Sequence, residues 1–175
     1  MIRGSLDTSG WSAAIDQLGE RAGRPVARAL NRAAGSGRTL LSREIAEDMS
    51  LRVGYVRDRL TLRDAQPDQW RASVTPSGKR LPLLQFGARD VRPRGVSARV
   101  QGTRTRYRSA FIATMKSGHV GVFARKGKKR LPIQELFGPS IPHVFGKYLP
   151  AAQARAEEQL MKNMEHELQY ALRDQ

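Results

Sequence analysis

Residues 96–125 read VSARVQGTRTRYRSAFIATMKSGHVGVFAR, and the period of this run decides the fold. Val96, Ala98 and Val100 are spaced by two, as are Phe111, Ala113 and Met115 and then Val120 and Val122. A period of two belongs to strands that bury one face. Gly102-Thr103 and Ser117-Gly118 separate these runs at hairpin distance, so neighbouring strands are expected to pair antiparallel. Upstream, Trp70, Ala72 and Val74 carry the same period back to residue 69, and Pro76-Ser77-Gly78, Pro93-Arg94-Gly95 and Gly127 mark further turns.

On either side the period becomes helical. Trp11, Ala14, Ile15 and Leu18 predict a first helix capped at Thr8 or Ser9. Val26, Leu30, Ala34, Leu41, Ile45 and Met49 recur mostly at steps near four and predict one long helix from Arg21 to Met49. Gly35 and Gly37, each costing about 1 kcal/mol in a helix interior, predict a single helix kinked there, with a break into two helices or the close approach of another backbone as the alternatives. Ser50 is placed to cap a short helix over Val53–Leu60, with Arg52, Arg57 and Arg59 outward; at that length it reads as a basic surface and not as a groove reader. Pro150 suits the first position of a last helix, striped by Ala152, Ala156, Leu160, Met164, Leu168 and Leu172. The expectation is one α+β domain over residues 1–175: mainly helical over 1–60, mainly β over 69–145, then a helix over 150–173. Its antiparallel sheet, of about four to six strands, would pack against the N-terminal helices and the C-terminal one.

One motif occurs twice. Gly78-Lys79-Arg80-Leu81-Pro82-Leu83, followed by Phe86-Gly87, is echoed by Lys128-Lys129-Arg130-Leu131-Pro132-Ile133, followed by Phe137-Gly138. Proline cannot donate to a sheet ladder, so each Leu-Pro is expected to begin an edge or bulged strand after a basic turn. Two similar hairpins explain the echo, and the two basic turns are expected near one another.

Charge is distributed unevenly. The chain has 31 Lys and Arg against 16 Asp and Glu, a net +15. Residues 52–130 hold 20 basic and 4 acidic groups, residues 1–51 hold 7 and 6, and residues 131–175 hold 4 and 6. Such a concentration points to a polyanion or to acidic protein partners. With no cysteine, disulfides and thiolate sites are excluded. No run approaches the roughly 20 apolar residues that cross a bilayer, and no signal-peptide layout opens the chain, so synthesis in the cytoplasm without membrane association is expected.

Catalytic constellations are missing from the sequence. His119, His143 and His166 stand in no recognisable catalytic setting, and Glu165-His166-Glu167 lies in the amphipathic last helix, where it reads as a solvated face. Residues 121–129 imitate a phosphate loop but lack its spacing, and Lys129 stands where a hydroxyl must hold magnesium. A nuclease would need clustered carboxylates, and the central segment offers only Asp58, Asp64, Asp68 and Asp90. No enzyme activity, cofactor or metal is expected. Glu44, Glu47 and Asp48 sit at a helix C-terminal end, which the helix dipole disfavours unless cations are near.

The candidate contact residues are Arg92, Arg94, Arg99, Arg104, Arg106 and Arg108, then Arg125, Lys126, Lys128, Lys129 and Arg130. A strand pair over 96–101 and 103–108 would put Arg104, Arg106 and Arg108 on one face, suited to a phosphate backbone. Only Tyr107 interleaves with these cations, which argues against a single-strand reader. Acidic neighbours in an assembly fit the surface as well as DNA does. The stretches 87–95 and 101–109, rich in Arg and Gly, are expected to be loops that order on assembly.

Several runs together resemble the phage minor tail protein Z family: Gly95-Val96-Ser97, Ala110-Phe111-Ile112-Ala113, Gly121-Val122-Phe123-Ala124-Arg125, Arg130-Leu131-Pro132-Ile133 and Gly138-Pro139-Ser140-Ile141-Pro142. Ala29-Leu30-Asn31-Arg32-Ala33-Ala34 and Leu81-Pro82-Leu83 with Phe86 are similar to that family's earlier segments, so the resemblance spans roughly residues 20–150. It implies a structural virion protein that completes the head-proximal end of the tail, at the head-tail joint around the DNA path. It also implies the α+β fold of neck and tail-completion proteins, a homo-oligomeric ring with sixfold symmetry, tail and connector proteins as partners, and transient contact with genomic DNA. In such a ring, Glu157, Glu158, Glu165 and Glu167 would meet a neighbour's basic flank. A standalone, sequence-independent DNA-binding protein is the alternative.

Overall fold

The apolar steps between Val26 and Met49 produce one unbroken helix in the computed structural model, which describes residues 9–91, 93–127 and 129–173. In chain order the elements are α1 (Ser9–Leu18), a 3-10 turn (Gly19–Ala22), α2 (Gly23–Met49), α3 (Val53–Arg57), β1 (Leu60–Arg63) and β2 (Ser73–Pro76). A second 3-10 turn (Leu83–Phe86) precedes β3 (Arg89–Asp90), β4 (Val96–Val100), β5 (Thr103–Tyr107), β6 (Ala110–Thr114), β7 (Val120–Arg125), β8 (Ile133–Glu135) and α4 (Ile141–Arg173). The class is α+β. All strand pairs are antiparallel, and the described strands divide into three small sheets, β1-β2, β3-β4-β5 and β6-β7-β8, instead of one larger one.

Helices α2 and α4, roughly 40 and 50 Å long at 1.5 Å per residue, run antiparallel. Three contacts in opposite order fix this direction: Asp48 to Lys147, Gly37 to Ala152, and Arg28 and Arg32 to Glu167. Of the two glycines expected to mark a kink or a close approach, Gly37 serves the second purpose. A Cβ there would lie 3.2 Å from the Ala152 carbonyl oxygen, so the absent side chain lets the helices close up. Gly35 has nothing within 4 Å of where its Cβ would be. Gly35→Ala is therefore expected to stabilise the fold by about 0.5–1 kcal/mol, read as a higher urea midpoint. A lower midpoint would mean that the site needs glycine for a reason other than space.

Two apolar clusters sit at opposite ends of this helix pair. The larger joins Leu41, Ile45 and Met49 of α2 and Ile141, Val144 and Phe145 of α4 to Leu83, Phe86, Val96, Ala98 and Val122. The smaller is purely helical: Leu18, Ala22, Val26, Ala29 and Ala33 meet Leu160, Met164 and Leu168, with Trp11, Ala14 and Ile15 of α1 packed on it. Glu167, 4% exposed, lies beside the smaller cluster and is held by Arg28 at 2.6 Å and Arg32 at 2.8 Å. The loop after β1 is latched to α2 by Asn31, whose Nδ2 donates to the Ala65 carbonyl (3.1 Å) and whose Oδ1 accepts from the Ala65 N–H (2.6 Å). Asn31→Ala leaves both the N–H and the C=O of buried Ala65 without their partner and is expected to cost about 1–3 kcal/mol by chemical denaturation. An unchanged midpoint would show that water replaces the latch without loss.

Several expectations need correction. The last helix begins at Ile141 and contains Pro150 in its interior. Ile141, Val144 and Phe145, at helical spacing, gain enough burial to outweigh the hydrogen bond that the exposed Pro150 cannot give. Ser50 caps no following helix: it ends α2 in the left-handed region (φ 56°), and Arg52, without a side-chain cap, precedes α3. The helix expected over Val53–Leu60 stops at Arg57, and Leu60 opens β1, where it is fully buried. Trp70 and Ala72 precede β2, and Trp70 is exposed with its indole N–H on the Pro67 carbonyl. In β6 the phase is opposite to expectation. Ala110 and Ile112 face the main core with Val122, while Phe111 pairs with Phe123 on the outer face. Apolar residues on both sides of that strand make its phase illegible from period alone. The stretches 87–95 and 101–109, expected as loops, contain β3 and β5. Thr8, one of the two expected caps, lies outside the described residues.

Candidate basic interface

The β4–β5 hairpin turns through Gln101 and Gly102, both at positive φ, and pairs Ser97 with Arg106, Ala98 with Thr105 and Arg99 with Arg104. Directly paired residues share a face. Val96, Ala98, Val100 and Tyr107 therefore face the main core, while Ser97, Arg99, Arg104 and Arg106 face outward. Strand β3 adds Arg89 to this outer face, paired with Ser97 from the other side. Arg89 was not among the sequence candidates; its signal, a basic residue at register distance before the Pro93-Arg94-Gly95 turn, emerges only once that turn is known to close a hairpin.

Arg104 and Arg106 do share a face as expected, whereas Arg108 falls beyond the end of β5. There it lines a pocket of about 360 Å³ with Pro93, Arg94 and Arg106. A second pocket of about 410 Å³ also uses Pro93 and Arg108, and adds Asp90, Phe111 and Arg125 among its lining. Arg125, at the end of β7, stands over the Phe111 ring at 5.1 Å from its centroid. Gly95 makes this convergence geometrically allowed. At φ +96°, it lets the β3–β4 turn lie on the carbonyls of Tyr107 and Arg108, where a Cβ would overlap both. Lys126, Lys129 and Arg130 form a separate exposed turn between β7 and β8. Arg92 and Lys128 lie outside the described residues.

The remaining residues picked out by the resemblance hold the core or shape the turns. Leu81 and Phe86 are buried, and Gly138 lies against the Phe86 ring. The Leu81 N–H reaches the Pro139 carbonyl (3.4 Å), Leu83 N–H that of Leu136 (2.9 Å) and Gly138 N–H that of Leu81 (2.8 Å). The two echoed motifs thus meet as Leu-Pro of the first against Phe-Gly of the second, with Pro82 bridged to Phe137. Only the second Leu-Pro leads into a strand, the edge strand β8, across a cis Leu131–Pro132 bond; the first leads into a 3-10 turn. Leu131 is exposed, Gly121 is buried under the Phe123 ring and the Glu135 carboxylate, and Pro142 lies in the first turn of α4.

The acidic stretch of α4 is partly committed within the chain. Glu167 is taken by Arg28 and Arg32, and Glu158 by Arg155 (2.8 Å) and Lys162 (2.7 Å). Hydrogen bonding to those two cations holds Glu158 below the usual carboxylate range. Glu167 is thereby withdrawn from a neighbour, whereas Glu157, Glu158 and Glu165 stay at the surface. Asp48 finds Lys147 at 3.2 Å, the partner that the end of α2 called for. Tyr148 first and Asp48 second hold Lys147 above the usual lysine range. Among the described residues no group of three or more His, Asp or Glu is placed to hold a metal ion, and no helix is long and apolar enough to cross a membrane.

The chain is thus a small α+β protein built on two long antiparallel helices, with a sheet whose outer face carries arginine. The family model described as prophage minor tail protein Z (GPZ) matches residues 10–175, nearly the whole sequence, and the chain belongs to that family. It is thus a member of a family of phage minor tail proteins. No curated protein and no solved structure matches the chain.

Proposed function

We propose that this protein completes the head-proximal end of a phage tail and forms part of the head-tail joint around the path of the genome. The family match over residues 10–175 carries this reading. A ring of identical subunits, sixfold like a tail tube, bound to other tail and connector proteins, suits such a position. A test is to add gold-labelled protein to tails from a phage that lacks it. Label at the head-proximal end is expected, and label at the distal tip, or none, would overturn the placement.

A second reading, sequence-independent contact with nucleic acid, is favoured by one observation: Arg99 lies directly opposite Arg104 with no ion pair to either among the described residues. Like charges facing across a hairpin destabilise it unless an anion lies against them.

A further inference from the structure

We propose that the outer face of β3-β4-β5 is a contact for the phosphate backbone of duplex DNA, made by Arg89, Arg99, Arg104 and Arg106. This rests on the nucleic-acid reading and is independent of the head-tail placement. Two cross-strand rows define the face: Arg89, Ser97 and Arg106, then Arg99 and Arg104. With strands about 4.8 Å apart and alternate residues about 6.7 Å apart, the four cations span a patch of roughly 10 by 7 Å.

Two of the guanidinium groups are positioned by neutral acceptors. Arg104 Nη1 donates to Ser97 Oγ (3.1 Å) and Arg99 Nε to the Gly102 carbonyl (3.1 Å). Their direction is fixed without their charge being cancelled. Ser97 is only 7% exposed although it points outward, between Arg89 and Arg106 in the first row. Asp90, the one acid in these strands, pairs with Val96 and so belongs to the opposite face.

The occupant follows from what this face lacks. A single-strand reader needs aromatic platforms among its cations, and Tyr107 is turned to the core. A second copy would bring Glu157, Glu158 and Glu165 interspersed with Arg155 and Lys162 on one exposed helix face, a mixed-sign surface, while Glu167 is buried against Arg28 and Arg32 of its own chain. A repeating array of phosphates, approached without reading bases, matches an outer face whose charged groups are all cationic.

The test is fluorescence anisotropy of the full-length protein on a 30-base-pair duplex of arbitrary sequence, over a salt series. Four phosphate contacts contribute about 3.6 to the slope of log K against log salt. Between about 50 and 200 mM salt, the unaltered protein should thus lose roughly 150-fold more affinity than the variant R89Q/R99Q/R104Q/R106Q. A variant with the same net charge, R94Q/R108Q/K126Q/K129Q, should keep nearly the full slope, and R89K/R99K/R104K/R106K should restore it. Thermal midpoints check that each variant folds. Equal slopes for the two glutamine variants would overturn this assignment of the face while leaving nucleic-acid binding standing. Absence of binding by the unaltered protein would overturn both. Displacement of the duplex by polyglutamate at equal charge concentration, or tighter binding of single-stranded DNA, would give the face to a different partner.

Discussion

Phe86→Ala is expected to lower stability by about 3–5 kcal/mol, the cost of an emptied aromatic site in a core that cannot collapse around it. Phe86 is 1% exposed and belongs to the larger cluster, where the strands meet both long helices. Its ring occupies the place that a side chain on Gly138 would need, since a Cβ there would lie 2.5 Å from Cε2. The backbones on either side, at Leu81–Leu83 and Leu136–Pro139, are tied together by hydrogen bonds and cannot move in to fill the space. The coupling is measurable. Gly138→Ala alone should destabilise, and its cost should shrink in a Phe86→Leu background, giving an interaction free energy of order 1 kcal/mol in a double-mutant cycle. Urea unfolding of the four proteins checks both statements, and additive losses would remove the claimed contact.

Gly95→Val is the second large effect, about 3 kcal/mol or more. Its φ of +96° lies where side chains are strained, and a Cβ would meet the carbonyl oxygens of Tyr107 and Arg108, which are backbone and cannot rotate aside. Only separation of the β3–β4 turn from the end of β5 would relieve the overlap. That turn also holds β3, and with it Arg89, against Ser97 of β4, so the variant should also lose duplex affinity if folded protein is recovered at low temperature. A near-native unfolding midpoint for Gly95→Val would show that the turn does not sit on those carbonyls.

Much of this fold is written in local periodicity. The four-residue steps of α2, the stripe from Ala152 to Leu172 and the buried face of Val96 and Ala98 stand where their spacing put them. Legibility failed where burial from elsewhere outweighed a local signal. Pro150 reads as a helix start, yet Ile141, Val144 and Phe145 extend the helix before it because the sheets offer them a core. Leu60 continues the helical spacing of Val53 and Val56, yet pairing with Pro76 draws it into a strand. Phe111 and Ile112 are both apolar, so only the register with β7 decides which one faces inward. The basic interface was half legible: Arg99, Arg104 and Arg106 follow from the hairpin, but Arg89 joins them only through the pairing of β3 with Ser97. The commitment of Glu167 to Arg28 and Arg32, more than 130 residues away, has no local signature at all.

The most direct measurement of the proposed role is electron microscopy of lysates from the producing phage with this gene disrupted, scoring filled heads, tails and joined particles. Filled heads beside separate tails, or joined particles that do not infect, are the predicted result, with infectivity restored when the purified protein is supplied. Normal numbers of joined, fully infectious particles would contradict a role in completing the tail.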